Sequence, residues 1–321
     1  MSTLLVTSWV PEEILAPYRS IFEKILVPVV ENTSYSRTEI LEFLPEAEVL
    51  FVLAGVKCDQ EILSAGKNLK VICNLGVGYD HIDVDLCSEH GVSVINTPEA
   101  VCESIAEYAV ALMMTLCRGT IHYDQFARKE LRTESRCFLD YGMLLYGKTL
   151  GILGFGRIGQ AVARKARGLG MQIIYYSPSR KPEAEKNIGA TYGTFDEVLE
   201  KADVVSCHMP YTPQNHHIIN AQSFEKMKKT AYFLNTARGP IVDEEALIQA
   251  LKSQRIRGAA VDVYKQEPHI SEELTKLDNI VLGPHIASNV YETRSAMARE
   301  ALDGACAILR GEKPSNLVNP Q

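Results

Sequence analysis

The sequence has no long run of basic residues and carries a net charge of −7, which argues against a phosphodiester backbone or an anionic membrane surface as partner. It has no apolar stretch long enough to span a bilayer. Its first residues, MSTLLVTSWVPEE, have neither the basic flank nor the apolar run of a secretory signal. The eight cysteines, at 58, 73, 87, 102, 117, 137, 207 and 306, lack the paired spacing of a metal site. Several lie inside apolar runs such as KVICNLG and ADVVSCHM, as small buried hydrophobes do, so a reducing cytoplasm is expected. Histidine supplies no metal set either, because His216 and His217 are neighbours rather than an i, i+4 pair. Internal repeats and low-complexity tracts are also missing.

What is present fits two globular α/β domains: 321 residues, 46% of them hydrophobic, are enough for two buried cores. From Leu150 onward the runs LGILGF, QIIYYS, DVVSCHM, AYFLNTA, GAAVDVY and NIVLG alternate with helical patterns, which predicts a doubly wound parallel Rossmann sheet of six strands. Before them LLVTSW, ILVPVV, EVLFVLAG, KVICNLG and VSVINT alternate in the same way, as in a smaller flavodoxin-like α/β domain. Between the two, Thr97 is placed to cap an apolar-faced helix running to Cys117, long enough to bury itself against a second subunit. A further amphipathic helix is expected over 290–309. The nucleotide domain, 98–286, is thus read as inserted into the smaller one, 1–97 plus 287–321.

A three-glycine loop, GILGFGRIGQ at 151–160, carries the nucleotide assignment, since it follows an apolar strand and opens a helix. Gly154 allows the tight turn, Gly156 lets backbone approach a pyrophosphate, and Gly159 lets helix and strand pack closely. At the end of the next strand the sequence reads YYSPSRK. Ser177 stands where NAD-binding folds carry a carboxylate for the ribose, and Ser179, Arg180 and Lys181 supply donors and positive charge for a 2′-phosphate. NADP is therefore the expected cofactor, with NAD the alternative if Arg180 and Lys181 are only a solvated loop pair.

Ligands of open parallel sheets bind beyond the carboxyl ends of the strands. Three such turns carry Arg238, Glu267 and His285, and a fourth, GVGYD in the smaller domain, faces the same cleft. The set suits hydride transfer to a carbonyl beside a carboxylate. Arg238 can hold the carboxylate with its fork, His285 can protonate the developing alkoxide, and Glu267 can pair with the imidazolium and keep it charged. Backbone N–H groups of Val77 and Gly78 complete the carboxylate site. Leu53, Ala54 and Gly55 follow another strand and shape the pocket, while His208 lines the cofactor structurally.

In order along residues 70 to 290, NLGVGYDHIDVD, NTPE, ESIAEYAVALMM, GKTLGILGFGRIGQ, LNTARGPIVDEEAL, VDVYKQEP and GPHIAS resemble the D-isomer-specific 2-hydroxyacid dehydrogenases, in particular the glyoxylate and hydroxypyruvate reductases. The resemblance implies Arg238, Glu267 and His285 as catalytic residues, a homodimer joined through the nucleotide domain, and a small 2-keto or 2-hydroxy acid as substrate. It also implies cofactor contacts from Phe155, Gly156, Arg157, Ile158, Pro210, Thr236, Ala237 and Asp262, the last near the nicotinamide. Asn215 replaces a frequent threonine, its amide still able to reach a phosphate or ribose. The tryptophan common ahead of the glycine loop is missing, which leaves Phe138 or Tyr141 to reach a neighbour's pocket. Corepressors related to this family keep the Arg, Glu and His set, so a dinucleotide-sensing binding protein is the competing reading.

Overall fold

Short apolar runs near the start of the chain alternate with helices that return the chain to the same end of the sheet, which makes parallel pairing the natural result. The computed structural model describes residues 2–53, 55–130 and 142–319. In it β1 (Thr3–Val6), β2 (Lys24–Leu26), β3 (Val49–Leu53), β4 (Val71–Leu75) and β5 (Ser93–Ile95) lie in the order β2-β1-β3-β4-β5, every pair parallel. Ser36, Asp59 and Asp83 cap the helices Arg37–Phe43, Gln60–Ala65 and Val84–Glu89, each accepting from the N–H three residues on. On the face these helices cover, Leu5, Leu50, Val52, Ile72 and Val94 pack with Ile40, Ile62 and Cys87. The helix Tyr291–Leu309 packs on β4, where Cys73 Sγ donates to Ala301 O at 3.6 Å.

The second sheet has seven parallel strands: β6 (Thr149–Leu153), β7 (Gln172–Tyr176), β8 (Ala190–Tyr192), β9 (Val204–Cys207), β10 (Tyr232–Asn235), β11 (Gly258–Val261) and β12 (Ile280–Leu282). Their order is β12-β11-β10-β9-β6-β7-β8, so the winding direction reverses between β6 and β9. Both faces are covered, as a parallel sheet requires. Phe233 and Val205 enter one core, while Tyr232, Leu234 and Val204 enter the other with Ala106, Ala109, Leu112 and Met113 of the helix Cys102–Arg118. The register brings Tyr176, Leu153, Cys207, Asn235, Val261 and Leu282 level across the sheet. As a result Ser177, Gly154, His208, Thr236, Asp262 and Gly283 form one row along its carboxyl edge.

By its contacts the chain divides into two units, Met1–Val101 with Ser288–Gln321, and Cys102–Ala287. Two details differ from the sequence reading. The seventh strand, β8, escapes periodicity because it is three residues long and only Ala190 of it is buried. Thr97 does not cap the linking helix, which starts at Cys102 after a turn. The N–H of Thr97 donates instead to Gly76 O at 3.0 Å, and its buried hydroxyl has no partner among the described residues. No helix among the described residues is long and apolar enough to cross a membrane, and none of their His, Cys, Asp or Glu groups is arranged to hold a metal.

Candidate active site

The glycine loop lies at the point where the strand order reverses, the place at which open α/β sheets bind ligands. Gly154 has φ +96°, and a Cβ there would lie 2.6 Å from the His208 carbonyl carbon, so both conformation and space demand glycine. At Gly159 a Cβ would overlap Gly154 O, which fixes how closely the helix Arg157–Gly168 approaches β6. Gly156 differs: a Cβ there would meet nothing within 4 Å, leaving open space at the helix N-terminus. The N–H groups of Gly156 and Ile158 have no partner among the described residues. Unpaired donors, an open approach and the positive end of the helix dipole fit the pyrophosphate of a dinucleotide.

Around this loop the sequence-predicted contacts divide into available and engaged groups. Phe155 is buried and stacks on Tyr175, ring centroids 3.8 Å apart, so only its backbone can face a ligand. Arg157 and Pro210 are exposed, whereas Thr236 has a buried hydroxyl with no partner among the described residues. The Ala237 N–H is taken by Asn235 Oδ1 at 3.0 Å. His208 Nε2 meets Ser206 Oγ at 2.8 Å, and burial pushes this imidazole down to about 4, so it is neutral at physiological pH. Asn215 departs from expectation: its Nδ2 donates to Pro210 O at 2.6 Å and its Oδ1 accepts from Thr212 N at 2.8 Å, so the amide closes its own loop.

After β7, Ser177 is buried and donates to Ser179 O at 2.7 Å. Arg180 is shared with Glu185, donating from Nε to Oε1 at 2.9 Å and from Nη2 to Oε2 at 2.8 Å. The Arg180 hydrogen bonds first, and that of Tyr175 Oη second, hold the Glu185 carboxyl down at about 2. Arg180 Nη1 and the Lys181 ammonium have no partner among the described residues. Arg180 is thus neutralised in part, with Nη1 and the Lys181 ammonium left as open donors.

The reactive groups follow β10, β11 and β12. Arg238 leads a 3-10 turn, Gly239–Ile241, whose position depends on two neighbours. Asn235 Nδ2 donates to Arg238 O at 3.0 Å, and at Gly239 any Cβ would overlap the Tyr264 carbonyl, so this turn rests directly on the backbone leading to Glu267. Glu267 Oε1 accepts from Tyr264 N at 3.1 Å, and its Oε2 meets His285 Nδ1 at 2.6 Å. Burial pushes this carboxyl up, but the His285 hydrogen bond and charge, the Tyr264 N–H and the Arg238 guanidinium outweigh it and hold Glu267 below the usual carboxylate range. His285 Nε2 has no partner among the described residues, and the side chain is 38% exposed.

His285 adopts φ +56°, a conformation that costs an L residue roughly 1–2 kcal/mol. Something must hold it there. Asp262 accepts from Ile286 N at 3.0 Å and Ala287 N at 2.9 Å, and Ser104 Oγ donates to Ala287 O at 2.8 Å. Tyr108 also hydrogen-bonds Asp262, an approach possible because any Cβ at Gly283 would overlap both groups. Burial raises the Asp262 carboxyl, and these N–H groups and the His285 charge oppose the rise. The sequence reading placed Asp262 at the cofactor, but its two oxygens grip the turn that aims His285. Ser104, Tyr108, Asn235, Gly239 and Gly283 escaped that reading. Only Asn235 had a local signal, as an amide ending a strand that is otherwise apolar.

In the smaller unit, Leu53 ends β3 and is partly exposed, and Gly55 has φ +105°. The N–H groups of Val77 and Gly78 have no partner among the described residues. Ala54, Phe138 and Tyr141 lie outside the described residues.

The family model described as D-isomer specific 2-hydroxyacid dehydrogenase, NAD binding domain, matches residues 110–287. A glyoxylate reductase of Thermococcus litoralis is 44% identical over 289 residues, covering 88% of this chain and 87% of that protein. A solved protein of Thermus thermophilus superposes with TM-score 0.91 at 36% identity, covering 99% of this chain and 100% of that one. A glyoxylate reductase structure from Paecilomyes thermophila gives TM-score 0.87 at 32% identity, with coverage of 99% and 98%.

Proposed function

The chain belongs to the D-isomer-specific 2-hydroxyacid dehydrogenases, nicotinamide-dependent oxidoreductases, and from that premise we propose an NADPH-preferring reductase of small 2-keto acids such as glyoxylate and hydroxypyruvate. The observation that carries the reading is the His285–Glu267 pair, 2.6 Å apart through Nδ1, which leaves Nε2 as the open ring nitrogen. A reduced nicotinamide cofactor, held by its pyrophosphate at the open N–H groups of Gly156 and Ile158, would supply the hydride for the carbonyl carbon. His285 Nε2 gives its proton to the oxygen, so that hydride and proton together turn keto acid into hydroxy acid. Glu267 fixes the ring and balances the imidazolium charge. Arg238 of the nucleotide unit offers its planar fork to a carboxylate, and within the smaller unit the open N–H groups of Val77 and Gly78 are donors of the kind a carboxylate accepts. Glyoxylate is favoured by the 44% identity to a glyoxylate reductase.

The pH dependence follows from the Glu267 shift. Its carboxyl is held below the usual carboxylate range, so the pair keeps its negative partner throughout that range and loses it only as pH falls further. Reductive kcat/KM should accordingly not decline between about pH 7 and 5. In Glu267→Gln the amide no longer supplies the negative partner of the ring, so reductive kcat/KM at pH 7 should fall by roughly 10- to 100-fold. An unchanged kcat/KM would remove Glu267 from this role.

NADPH preference rests on the missing carboxylate at Ser177 and on the open Arg180 Nη1 and Lys181. One charge-assisted hydrogen bond is worth about 1.5–3 kcal/mol, so kcat/KM with NADPH should exceed that with NADH by roughly 10- to 100-fold. Equal values, or a higher one with NADH, would refute it. For the oligomer, Met114, Ile121, Tyr123, Leu144 and Tyr146 are exposed apolar residues within residues 102–146. They support a homodimer formed through the nucleotide unit. Sedimentation at micromolar concentration should give twice 35.6 kDa, and a species of that single mass would speak against it.

A further inference from the structure

Resting on the reading above, we propose that Asn74 and Asn96 are positioning residues for the substrate carboxylate: from behind the loop 76–79 they hold its carbonyls and thereby turn the N–H groups of Val77 and Gly78 outward. Asn74 lies in β4 with no exposed surface, and its Nδ2 donates to both Gly76 O and Gly78 O at 2.9 Å. Asn96 Nδ2 donates to Val77 O at 2.9 Å, and the Thr97 N–H adds a second bond to Gly76 O. Three successive carbonyls are thus satisfied by groups of the same unit. In a trans peptide the N–H of one residue points opposite to the carbonyl of the residue before it. Fixing Gly76 O therefore fixes where the Val77 N–H points, and fixing Val77 O does the same for Gly78.

Two observations separate this role from ordinary packing. The Asn74 Oδ1 is buried and has no partner among the described residues, a cost that an apolar side chain of similar size would avoid. What such a side chain cannot do is donate twice. Asn96 is itself braced, its carbonyl accepting from Asn316 Nδ2 at 2.9 Å and its N–H donating to Asn316 O at 3.3 Å. The backbone from which Asn96 reaches the loop is thus tied to the carboxyl-terminal segment.

The test uses Asn74→Leu and Asn96→Ala in the full chain, with steady-state kinetics in glyoxylate and in NADPH and the melting temperature of each. Loss of carboxylate orientation should raise KM for glyoxylate about 10- to 100-fold. KM for NADPH should stay within about twofold and kcat within about threefold. Unchanged KM for glyoxylate in both variants would overturn the inference. So would a comparable rise in both KM values together with a lowered melting temperature, which is the mark of a merely structural role. Amide NMR of the backbone, titrated with oxalate, keeps the inference separate from the proposed reaction and from any failure of Asn74→Leu to fold. Shifts at Val77 and Gly78 in the wild type that vanish in Asn96→Ala support the clamp even if the protein turns over no keto acid. Absence of such shifts in the wild type, or their persistence in Asn96→Ala, would contradict it.

Discussion

His285→Ala is expected to lower kcat for keto-acid reduction by about 10²–10⁴-fold, the range for losing a positioned general acid. The reason lies in how much structure is committed to that one ring. Glu267 holds Nδ1 at 2.6 Å, and Asp262 with Ser104 grips the two residues that follow. Together they maintain a backbone conformation at φ +56° that an L residue does not choose unaided. Alanine removes the proton donor but leaves the carboxylate clamp on the turn in place. NADPH affinity and melting temperature should therefore change little, and the loss should fall on kcat. Stopped-flow measurement of a single turnover distinguishes a slowed chemical step from slowed product release. An undiminished single-turnover rate would exclude His285 as the donor.

Arg238→Lys should reduce kcat/KM by roughly 10- to 100-fold, even though the charge is kept. Its turn is set by Asn235 from one side and, through Gly239, by the Tyr264 carbonyl from the other, so the backbone cannot shift to bring a shorter, single-point ammonium to the same place. A lysine also lacks the planar fork that grips both oxygens of a carboxylate. Because the carboxylate is bound before and during reduction, much of the loss should fall on KM. The melting temperature of this variant should stay near that of the wild type. Kinetics indistinguishable from wild type would remove the guanidinium from the carboxylate site.

How far the sequence could be read depended on whether a feature is local. The strand ends carrying Gly154, Arg238, Glu267 and His285 were visible because a parallel sheet exposes one edge, and short apolar runs show where each strand stops. The three glycines were legible because their needs are backbone needs. Hydrogen-bond partners were not, since they depend on side chains meeting across elements. Arg180 reads as a free cation until Glu185 is seen to take Nε and Nη2, and Asn215 reads as a ligand group until its amide is found closing its own loop. Asp262 was recognised as a site residue, but its partners at 286 and 287 are 24 and 25 positions away. The strand Ala190–Tyr192 offered too little apolar sequence to register.

The proposed role of Arg238, Glu267 and His285 is reduction of a 2-keto acid with a nicotinamide cofactor. Its most direct test is loss of the NADPH absorbance band on mixing the purified protein with a panel of 2-keto acids that includes glyoxylate and hydroxypyruvate. The account predicts turnover with at least one of these two, abolished in His285→Ala. Tight NADPH binding without turnover of any acid in the panel would contradict it, and would favour instead a protein that reports dinucleotide occupancy to a partner.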